Sequence, residues 1–409
     1  MKRMIRNIFI VIVIIIFMIA FTPSYTSLNI DNLAYVVALG IDAGEVEKFK
    51  ITFEFTTGSS GGESGSSSEK NPLIMNSVEA SSIDSAINLM NSYMARELNL
   101  SHCKIIVFSE EVASQGISKE IYTLANDSQI RPSSNIIVSK NNAEDYISNS
   151  TPVLENLITK YYEIFPNSSK YTGYVYNVTL GDFFNQLVCH TCEPFAILGG
   201  INSNPVGSNA SNPNASSIST IKSTNTTFSG QENSENLGVA VFKDDKLIGE
   251  LTALETLCLS IIQGEVDSFL ISIENPDNRE ETIDIMMHPT NHKKIKVHII
   301  NGSPYITFDA KLTGRIYSMK ESSKYLDTSV LEGISKEVNR YLEEIITQYL
   351  YRTSTEFKAD INALGKYSLS NFLTTPEFEE YDWRNNYANS TFKVSIQSEI
   401  ESGFLITES

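Results

Sequence analysis

Leu33-Ala34-Tyr35-Val36-Val37-Ala38-Leu39 is a short apolar run rich in residues that favour β-structure. It is followed by Phe49-Lys50-Ile51-Thr52-Phe53-Glu54-Phe55, in which apolar and other residues alternate with a period of two. The turn residues Gly40, Asp42 and Gly44 lie between the two runs. The pattern predicts two strands joined by a turn, and a β-sheet as the starting element of the fold.

The chain after these strands alternates between helical and strand patterns. Ile83, Ile87, Met90 and Met94 recur at helical spacing after a possible cap at Ser81 or Ser82. The pattern then predicts a strand, a helix, a strand and a helix, at residues 104–108, 116–125, 135–139 and 143–147. Such alternation is typical of a sheet covered by helices.

The second half repeats this organisation. Strands are predicted at residues 237–242, 246–249 and 391–400, with a helix at 252–262. Two to four further strands are predicted over residues 268–273, 281–288, 293–300 and 305–313. A long helix is predicted from Asp327 to Leu350, with an apolar stripe formed by Leu331, Ile334, Val338, Leu342, Ile345 and Tyr349. Glu332, Lys336, Arg340 and Glu343 face away from the stripe. A stripe of this kind is more often a core face than a partner-binding face.

Two tracts are too polar to pack. Residues 58–68 are nearly all Gly and Ser, and residues 202–235 are rich in Asn, Ser and Thr. The first indicates a loop and the second a linker. The predicted organisation is therefore a signal or membrane anchor at 1–27, an α/β domain of one or two subdomains at 28–200, the linker at 201–235, and a second α/β domain at 236–409. The predicted fold class is α+β or mixed α/β, in several domains.

The first 21 residues predict where the protein works. Lys2, Arg3 and Arg6 precede an apolar run from Ile8 to Phe21, which is typical of a secretory signal or a short membrane anchor. The candidate anchor residues are Ile8, Val11, Ile15, Met18 and Phe21. Everything after about residue 22 is therefore expected to be exported, with cleavage of the leader possible and poorly specified.

The net charge limits the classes of partner. The chain carries 49 acidic and 31 basic residues, a formal charge of −18. Nucleic-acid binding requires clustered Lys and Arg, so no nucleic-acid partner is expected. The same acidity is expected to keep the exported part of the chain away from anionic lipid headgroups.

No recognisable catalytic or metal motif is present. Cys189 and Cys192 have a C-x-x-C spacing, which is compatible with a metal or redox site, a buried pair or a local disulfide. His288 and His292 are four residues apart, but Pro289 prevents a helix that would align them, so turn positions are expected. We therefore predict no catalytic, cofactor-binding or metal-binding residue, and no enzyme.

Several segments together resemble the Ger(x)C family, the C subunits of the germinant receptors of endospore-forming bacteria. The resemblance covers nearly the whole chain and rests on order and spacing rather than on one motif. Its segments are Asn32 to Asp42 (NLAYVVALGID), Leu100 to Glu111 (LSHCKIIVFSEE), Leu247 to Thr256 (LIGELTALET), and a closing stretch with Asp360, Gly365, Trp383 and the Phe392 to Ile400 strand.

The resemblance implies a non-enzymatic, membrane-attached subunit that is required for triggering spore germination. Its implied partners are a germinant-receptor A subunit and a polytopic B subunit, with a small-molecule nutrient acting at most indirectly. The implied location is the inner spore membrane, with the ectodomain on the outer, non-cytoplasmic face. The bottom-up alternative is an exported solute-binding or scaffold module at the outer face of the cytoplasmic membrane.

The chain departs from the family at the end of its leader. Family members are typically lipoproteins whose leader ends in Gly-Cys-Trp, whereas this chain has Pro23-Ser24-Tyr25 at that place. Ser24 has no thiol to accept a thioether-linked lipid, so no lipidation is predicted. An uncleaved helix from Ile8 to Phe21 is then the expected means of attachment.

Overall fold

The computed structural model describes residues 2–20, 32–56, 74–152, 154–155, 157–202, 223–224, 233–276, 278–318 and 328–402. Within these residues the chain forms a helix, α1 (Lys2–Ala20), followed by two β-sheets of nine and four strands with helices packed against them. The predicted α+β or mixed α/β fold class is confirmed.

The first sheet is mixed, with a parallel centre and antiparallel sides. Its strands are β1 (Leu33–Ala43), β2 (Phe49–Phe55), β3 (Ile74–Ala80), β4 (Glu97–Asn99), β5 (Ile105–Ser109), β6 (Asn135–Ser139), β7 (Phe195–Ile201), β8 (Ser234–Lys243) and β9 (Lys246–Leu251). The order is β3-β2-β1-β5-β6-β7-β8-β9, and β4 pairs with β1. Strands β1, β5, β6 and β7 run parallel, so their carboxyl ends share one edge.

The turn between β1 and β2 is shorter than predicted. Gly40 and Asp42 lie inside β1 and pair with Thr52 and Lys50 of β2, so their prediction as turn residues is wrong. Gly40 is closely packed there, because a Cβ atom at this position would lie 3.0 Å from the Ile147 side chain. The apolar run alone could not show this close approach, since Ile147 belongs to a distant helix.

Strands on both sides of the Asn/Ser-rich segment belong to the same sheet. Strand β8 follows this segment, and it pairs antiparallel with β7, which precedes it. Most of residues 201–235, and all of residues 58–68, lie outside the described residues. The role of 201–235 as a domain linker stays a prediction, while the first sheet itself continues to the end of β9 at Leu251.

Eight helices accompany the first sheet in the described part of the chain. They are α2 (Ile83–Tyr93), α3 (Glu110–Gln115), α4 (Ser118–Asn126), α5 (Ala143–Asn149), α6 (Ile158–Ile164), α7 (Ser169–Thr172), α8 (Leu180–Leu187) and α9 (Ala253–Gln263). The predicted helices α2, α4, α5 and α9 are confirmed. The Ser82 hydroxyl accepts a hydrogen bond from the Ser85 N–H and caps α2, as one of the two predicted caps.

The second sheet has four strands: β10 (Phe269–Asn275), β11 (Asn278–Ile300), β12 (Ser303–Ser318) and β13 (Thr391–Glu401). They lie in this order, antiparallel except for the parallel pair β12 and β13. His288 and His292 lie within β11, so their prediction as turn residues is wrong. The register of β11 against β12 shifts between Pro289 and Lys293, and a bulge of this kind accommodates a residue without an N–H.

Helix α10 (Thr328–Arg352) packs against the second sheet. Its buried residues include Ile334, Val338, Leu342 and Tyr349, which confirms the predicted core face. Glu343 does not point away from the core as predicted, because its carboxylate accepts the N–H of Ile396 at 2.9 Å. The helix thus satisfies outward N–H groups of the edge strand β13, which protects that edge from pairing with another chain.

The chain between α10 and β13 forms short helices, of which α11 (Thr375–Tyr381) and α12 (Trp383–Asn386) are α-helical. Trp383, which belongs to the closing stretch of the family resemblance, is only 1% exposed and is therefore a core residue. Its indole lies beside Gly365, at the place where the two sheets and their helices meet.

Candidate functional site

The candidate anchor residues Ile8, Val11 and Ile15 lie on α1 with exposed side chains, and Met18 lies on the same helix. Phe21 and Ser24 lie outside the described residues. No helix in the described part of the chain is both long and apolar enough to cross a membrane. The role of α1 as an anchor stays a prediction.

A disulfide loop follows α8. Cys189 and Cys192 are joined by a disulfide with their Cα atoms 5.6 Å apart, so the local disulfide is the alternative that the structure shows. Across the described residues, no group of three or more His, Cys, Asp or Glu side chains is placed to hold a metal ion. The loop leads directly into Glu193.

The buried Glu193 and the half-buried Arg384 form an ion pair between the two halves of the chain. The Glu193 side chain is 1% exposed, and its Oε1 accepts a hydrogen bond from Arg384 Nε at 2.7 Å. Arg384 also donates to Oε2, which accepts the N–H of Asp244 at 2.8 Å as well. Arg384 Nη1 lies 2.9 Å from Asp244 Oδ1. One guanidinium thereby links α12 to the loop before β7 and to the β8–β9 turn.

Asp360 is hydrogen-bonded to the same region. Its buried carboxylate accepts the N–H groups of Leu364 and Gly365 at 3.0 and 2.8 Å and the indole N–H of Trp383 at 2.9 Å. Its backbone carbonyl accepts the N–H of Glu193 at 3.0 Å. Burial raises the pKa of Asp360 to about 6, although the three donated hydrogen bonds act in the opposite direction.

A third connection joins α9 to α10. Glu255 closes a capping box with Thr252 at the start of α9. The same carboxylate accepts hydrogen bonds from Arg352 Nη1, which lies 2.6 Å from Oε1 and 2.5 Å from Oε2. The Arg352 guanidinium also lies 4.7 Å from the centre of the Phe357 ring. We call this region, formed by Glu193, Asp244, Glu255, Arg352, Asp360 and Arg384, the inter-unit junction.

Replacement of glycine by alanine should have opposite effects at two positions, one at the junction and one on α10. A Cβ atom at Gly365 would lie 2.6 Å from Trp383 Nε1 and 2.8 Å from Thr191 Cβ, so Gly365→Ala should lower the free energy of unfolding by about 1–3 kcal/mol. Gly333 on α10 has no heavy atom within 4 Å of that position, so Gly333→Ala should raise stability by up to about 1 kcal/mol. Urea denaturation of both variants measures the two effects. Equal effects would contradict the close packing.

A polar cleft lies at the carboxyl ends of the parallel strands. It has a volume of about 330 Å³ and is lined by Ser109, Glu110, Glu111, Ser114, Lys140, Asn141 and Asn142. Lys140 lies 3.0 Å from a Glu110 carboxylate oxygen and also pairs with Glu250, so its charge is neutralised. Ligands of open α/β sheets bind at this edge, and the cleft could hold a small polar solute.

Neither the cleft nor the junction is predicted from the sequence. A signal for the cleft was present, since Ser109-Glu110-Glu111 directly follows one predicted strand and Lys140-Asn141-Asn142 follows the next. The junction had no such signal, because Glu193 and Arg384 are 191 residues apart. Only the folded chain brings them together.

Glu54 is a buried carboxyl group in β2. Its Oε2 accepts the Tyr162 hydroxyl hydrogen bond at 2.9 Å, whereas its Oε1 is buried without a hydrogen-bond partner among the described residues. Burial raises the pKa of Glu54 to about 8, against the smaller lowering effect of Tyr162. The side chain is therefore protonated in the folded protein below about pH 8.

This raised pKa predicts a pH dependence of stability. The folded chain holds the Glu54 proton up to about pH 8, while the unfolded chain releases it near the ordinary value of 4.5. The stabilisation of the folded state that comes from the Glu54 proton is therefore fully present below about pH 4.5 and is lost as the pH rises towards 8. The wild-type protein should lose more stability than Glu54→Gln between pH 5 and 8, by a few kcal/mol at most. Urea denaturation at both pH values tests this, and parallel losses would contradict it.

Both halves of the chain match family models for spore germination proteins. Residues 26–198 match a family described as "Spore germination protein N-terminal domain", and residues 237–403 match one described as "Spore germination B3/ GerAC like, C-terminal". Together the two matches cover the first sheet up to β7 and nearly all of the chain from β8 to β13.

Individual relatives agree with the family models. Spore germination protein KC of Bacillus subtilis (strain 168) is 20% identical, over 84% of this chain and 83% of the relative. The putative spore germination protein YfkR of the same organism is 21% identical over 94% of both chains. The crystal structure of the GerBC protein has a similar fold, with a TM-score of 0.51 and 17% sequence identity, covering 88% of this chain and 96% of that chain.

The matched domains, in this order, define a spore germination protein. The chain belongs to the Ger(x)C family of germinant receptor C subunits, which confirms the resemblance found in the sequence. Its family places it in spore germination.

Proposed function

We propose that this chain is the C subunit of a nutrient germinant receptor, a non-enzymatic protein that is required for triggering spore germination. The observation that carries this proposal is the match of both the N-terminal and the C-terminal family domains, in order, over residues 26–198 and 237–403. The inter-unit junction supports it, because half-buried ion pairs connect the two halves of the chain, and a binding subunit needs a stable surface for its partners.

The proposed location is the inner spore membrane, with the part of the chain after α1 on the outer face. The first turns of α1 contain Lys2, Arg3 and Arg6, and the helix is apolar from Ile8 to its end at Ala20. A basic start of this kind favours a cytoplasmic N-terminus. We propose α1 as the attachment and a germinant-receptor A subunit and a polytopic B subunit as the partners.

The proposal is tested in spores. Spores that lack this chain should lose their response to at least one nutrient, measured as the fall in optical density, and the wild-type gene should restore it. An affinity-tagged chain recovered from the inner spore membrane should bring a polytopic membrane protein with it. A full nutrient response in the deletion strain, under every nutrient tested, would contradict the proposal.

The polar cleft favours a second candidate, an exported solute-binding module. Its position at the carboxyl ends of β5 and β6 and its volume of about 330 Å³ suit a small polar molecule. Calorimetry of the purified chain against amino acids and sugars separates the two candidates. Saturable binding by the isolated chain, lost in Asn142→Ala but not in Asn126→Ala, would favour the solute-binding module.

A further inference from the structure

The outer face of the second sheet carries a compact group of lysines. Lys296 of β11 and Lys393 of β13 lie in one row on either side of Thr307 of β12. Neighbouring strands are about 4.8 Å apart, so the two backbone positions are about 10 Å apart. Lys294 lies two residues from Lys296 along the same strand, and Lys311 lies further along β12. We call these four residues, Lys294, Lys296, Lys311 and Lys393, the lysine face.

The lysine face points to solvent because the other face of the sheet is the core. Residues in the alternate positions, Val297, Phe308 and Phe392, are buried. The Phe392 ring lies 5.1 Å from the Tyr351 ring of α10, which places α10 on the inner side. The four lysines are all exposed. The sheet therefore presents them together on its open side.

The charge of the lysine face is not balanced locally. Across the described residues, none of its four side chains makes an ion pair or a hydrogen bond. Two acids lie beside them on the same face. Asp309 pairs with Lys294 in the register. Glu399 of β13 lies two residues beyond Gln397, the register partner of Lys311. Four lysines with these two acids leave a formal charge of +2. The face is positive in a chain whose total charge is −18.

The chemistry of the face fits lipid headgroups better than a protein surface. Lysine is depleted in the centres of protein–protein interfaces, where aromatic residues and arginine are enriched. Clusters of basic residues beside a membrane attachment bind anionic lipids, at about 1 kcal/mol for each Lys or Arg near the surface. The outer face also carries the exposed aromatic residue Tyr317 on β12, and tyrosine is enriched at membrane–water interfaces.

We propose that the lysine face lies against anionic lipid headgroups and sets the orientation of the protein on the membrane. The inference rests on the proposed membrane attachment of the chain through α1. The total negative charge opposes approach from a distance, but it is screened beyond about 8 Å at physiological ionic strength. Once the chain is attached, the local positive charge decides which side faces the lipid.

The test is the reactivity of individual lysines in the full chain. The protein is mixed with vesicles of neutral phosphatidylcholine, or of phosphatidylcholine with phosphatidylglycerol, and is treated with an acetylating reagent. Mass spectrometry then gives the acetylation rate at each site. The four lysines of the face should react several-fold more slowly with the anionic vesicles than with the neutral ones, and 1 M salt should remove the difference. Lys119 on α4 and Lys336 on α10 are exposed controls that should not change.

A pair of variants makes the test specific. In Lys294→Gln/Lys296→Gln, the remaining residues Lys311 and Lys393 should lose their protection, whereas Lys119→Gln/Lys336→Gln should keep it. Equal reactivity in both vesicles would overturn the inference. The inference would also be overturned if the four lysines were protected from acetylation without vesicles and this protection increased with protein concentration. That result would show that a second copy of the chain covers the lysine face. Flotation with neutral vesicles tests the α1 attachment separately, so failure of the attachment and failure of the lysine face are distinguishable.

Discussion

Replacing Arg384 with alanine should lower the free energy of unfolding by about 3–5 kcal/mol. The substitution leaves Glu193, whose side chain is 1% exposed, without its two charged hydrogen bonds. A buried carboxylate without a partner is costly, and this cost exceeds the net value of the ion pair itself. The change also releases α12 from the loop before β7. Chemical denaturation followed by circular dichroism measures the loss.

Two variants control for this interpretation. In Arg384→Ala/Glu193→Gln the buried charge is absent, so much of the lost stability should return. Arg340→Ala removes an arginine that pairs with Glu337 and Glu344 on the exposed side of α10, and it should change stability little. If Arg384→Ala and Arg340→Ala were equally mild, the junction could not be the connection between the two halves.

Replacing Val338 with aspartate should cost a similar amount, about 3–5 kcal/mol. Val338 is 0% exposed at the centre of the apolar stripe of α10. The substitution buries a carboxylate against the second sheet, where the neighbouring core side chains are apolar and offer it no positive charge. The aspartate must either remain charged without a partner or take up a proton, and both are unfavourable. The thermal unfolding midpoint should fall by many degrees.

Lys336→Asp is the matched control for this prediction. Lys336 is two residues away on the same helix, with an exposed side chain. The Lys336→Asp variant introduces the same residue into the same helix without burying it. It therefore measures only the low helix propensity of aspartate, and the free energy of unfolding should fall by less than about 1 kcal/mol. An unchanged midpoint for Val338→Asp would show that α10 does not form the core of the second sheet.

The elements that could be predicted from the sequence have a regular local pattern. The alternation that predicts β2 and the stripe that predicts α10 depend only on residues close together in the chain, and both elements are confirmed. Strand β7 has two consecutive glycines, and α6 and α7 have 7 and 4 residues. Such elements carry too little periodicity to be recognised, since their stability comes from their neighbours in the fold.

The errors have a common cause in tertiary pairing. Pro289 favours a turn at His288 and His292, but a register shift lets β11 continue through the proline. The helical pattern puts Glu343 on the outer side of α10, but the edge of β13 offers it a backbone N–H. In both cases a partner that is remote in sequence decides the outcome.

The sequence by itself determined the alternation of strands and helices, the core face of α10 and the family to which the chain belongs. These properties follow from side-chain periodicity and from the order of segments, which are both local. The tertiary structure decided that β8 and β9 join the first sheet, that Glu193 meets Arg384, and that four lysines share one open face. The reason is physical: strand register and buried charge pairing depend on which distant segments meet, and no single segment contains that information.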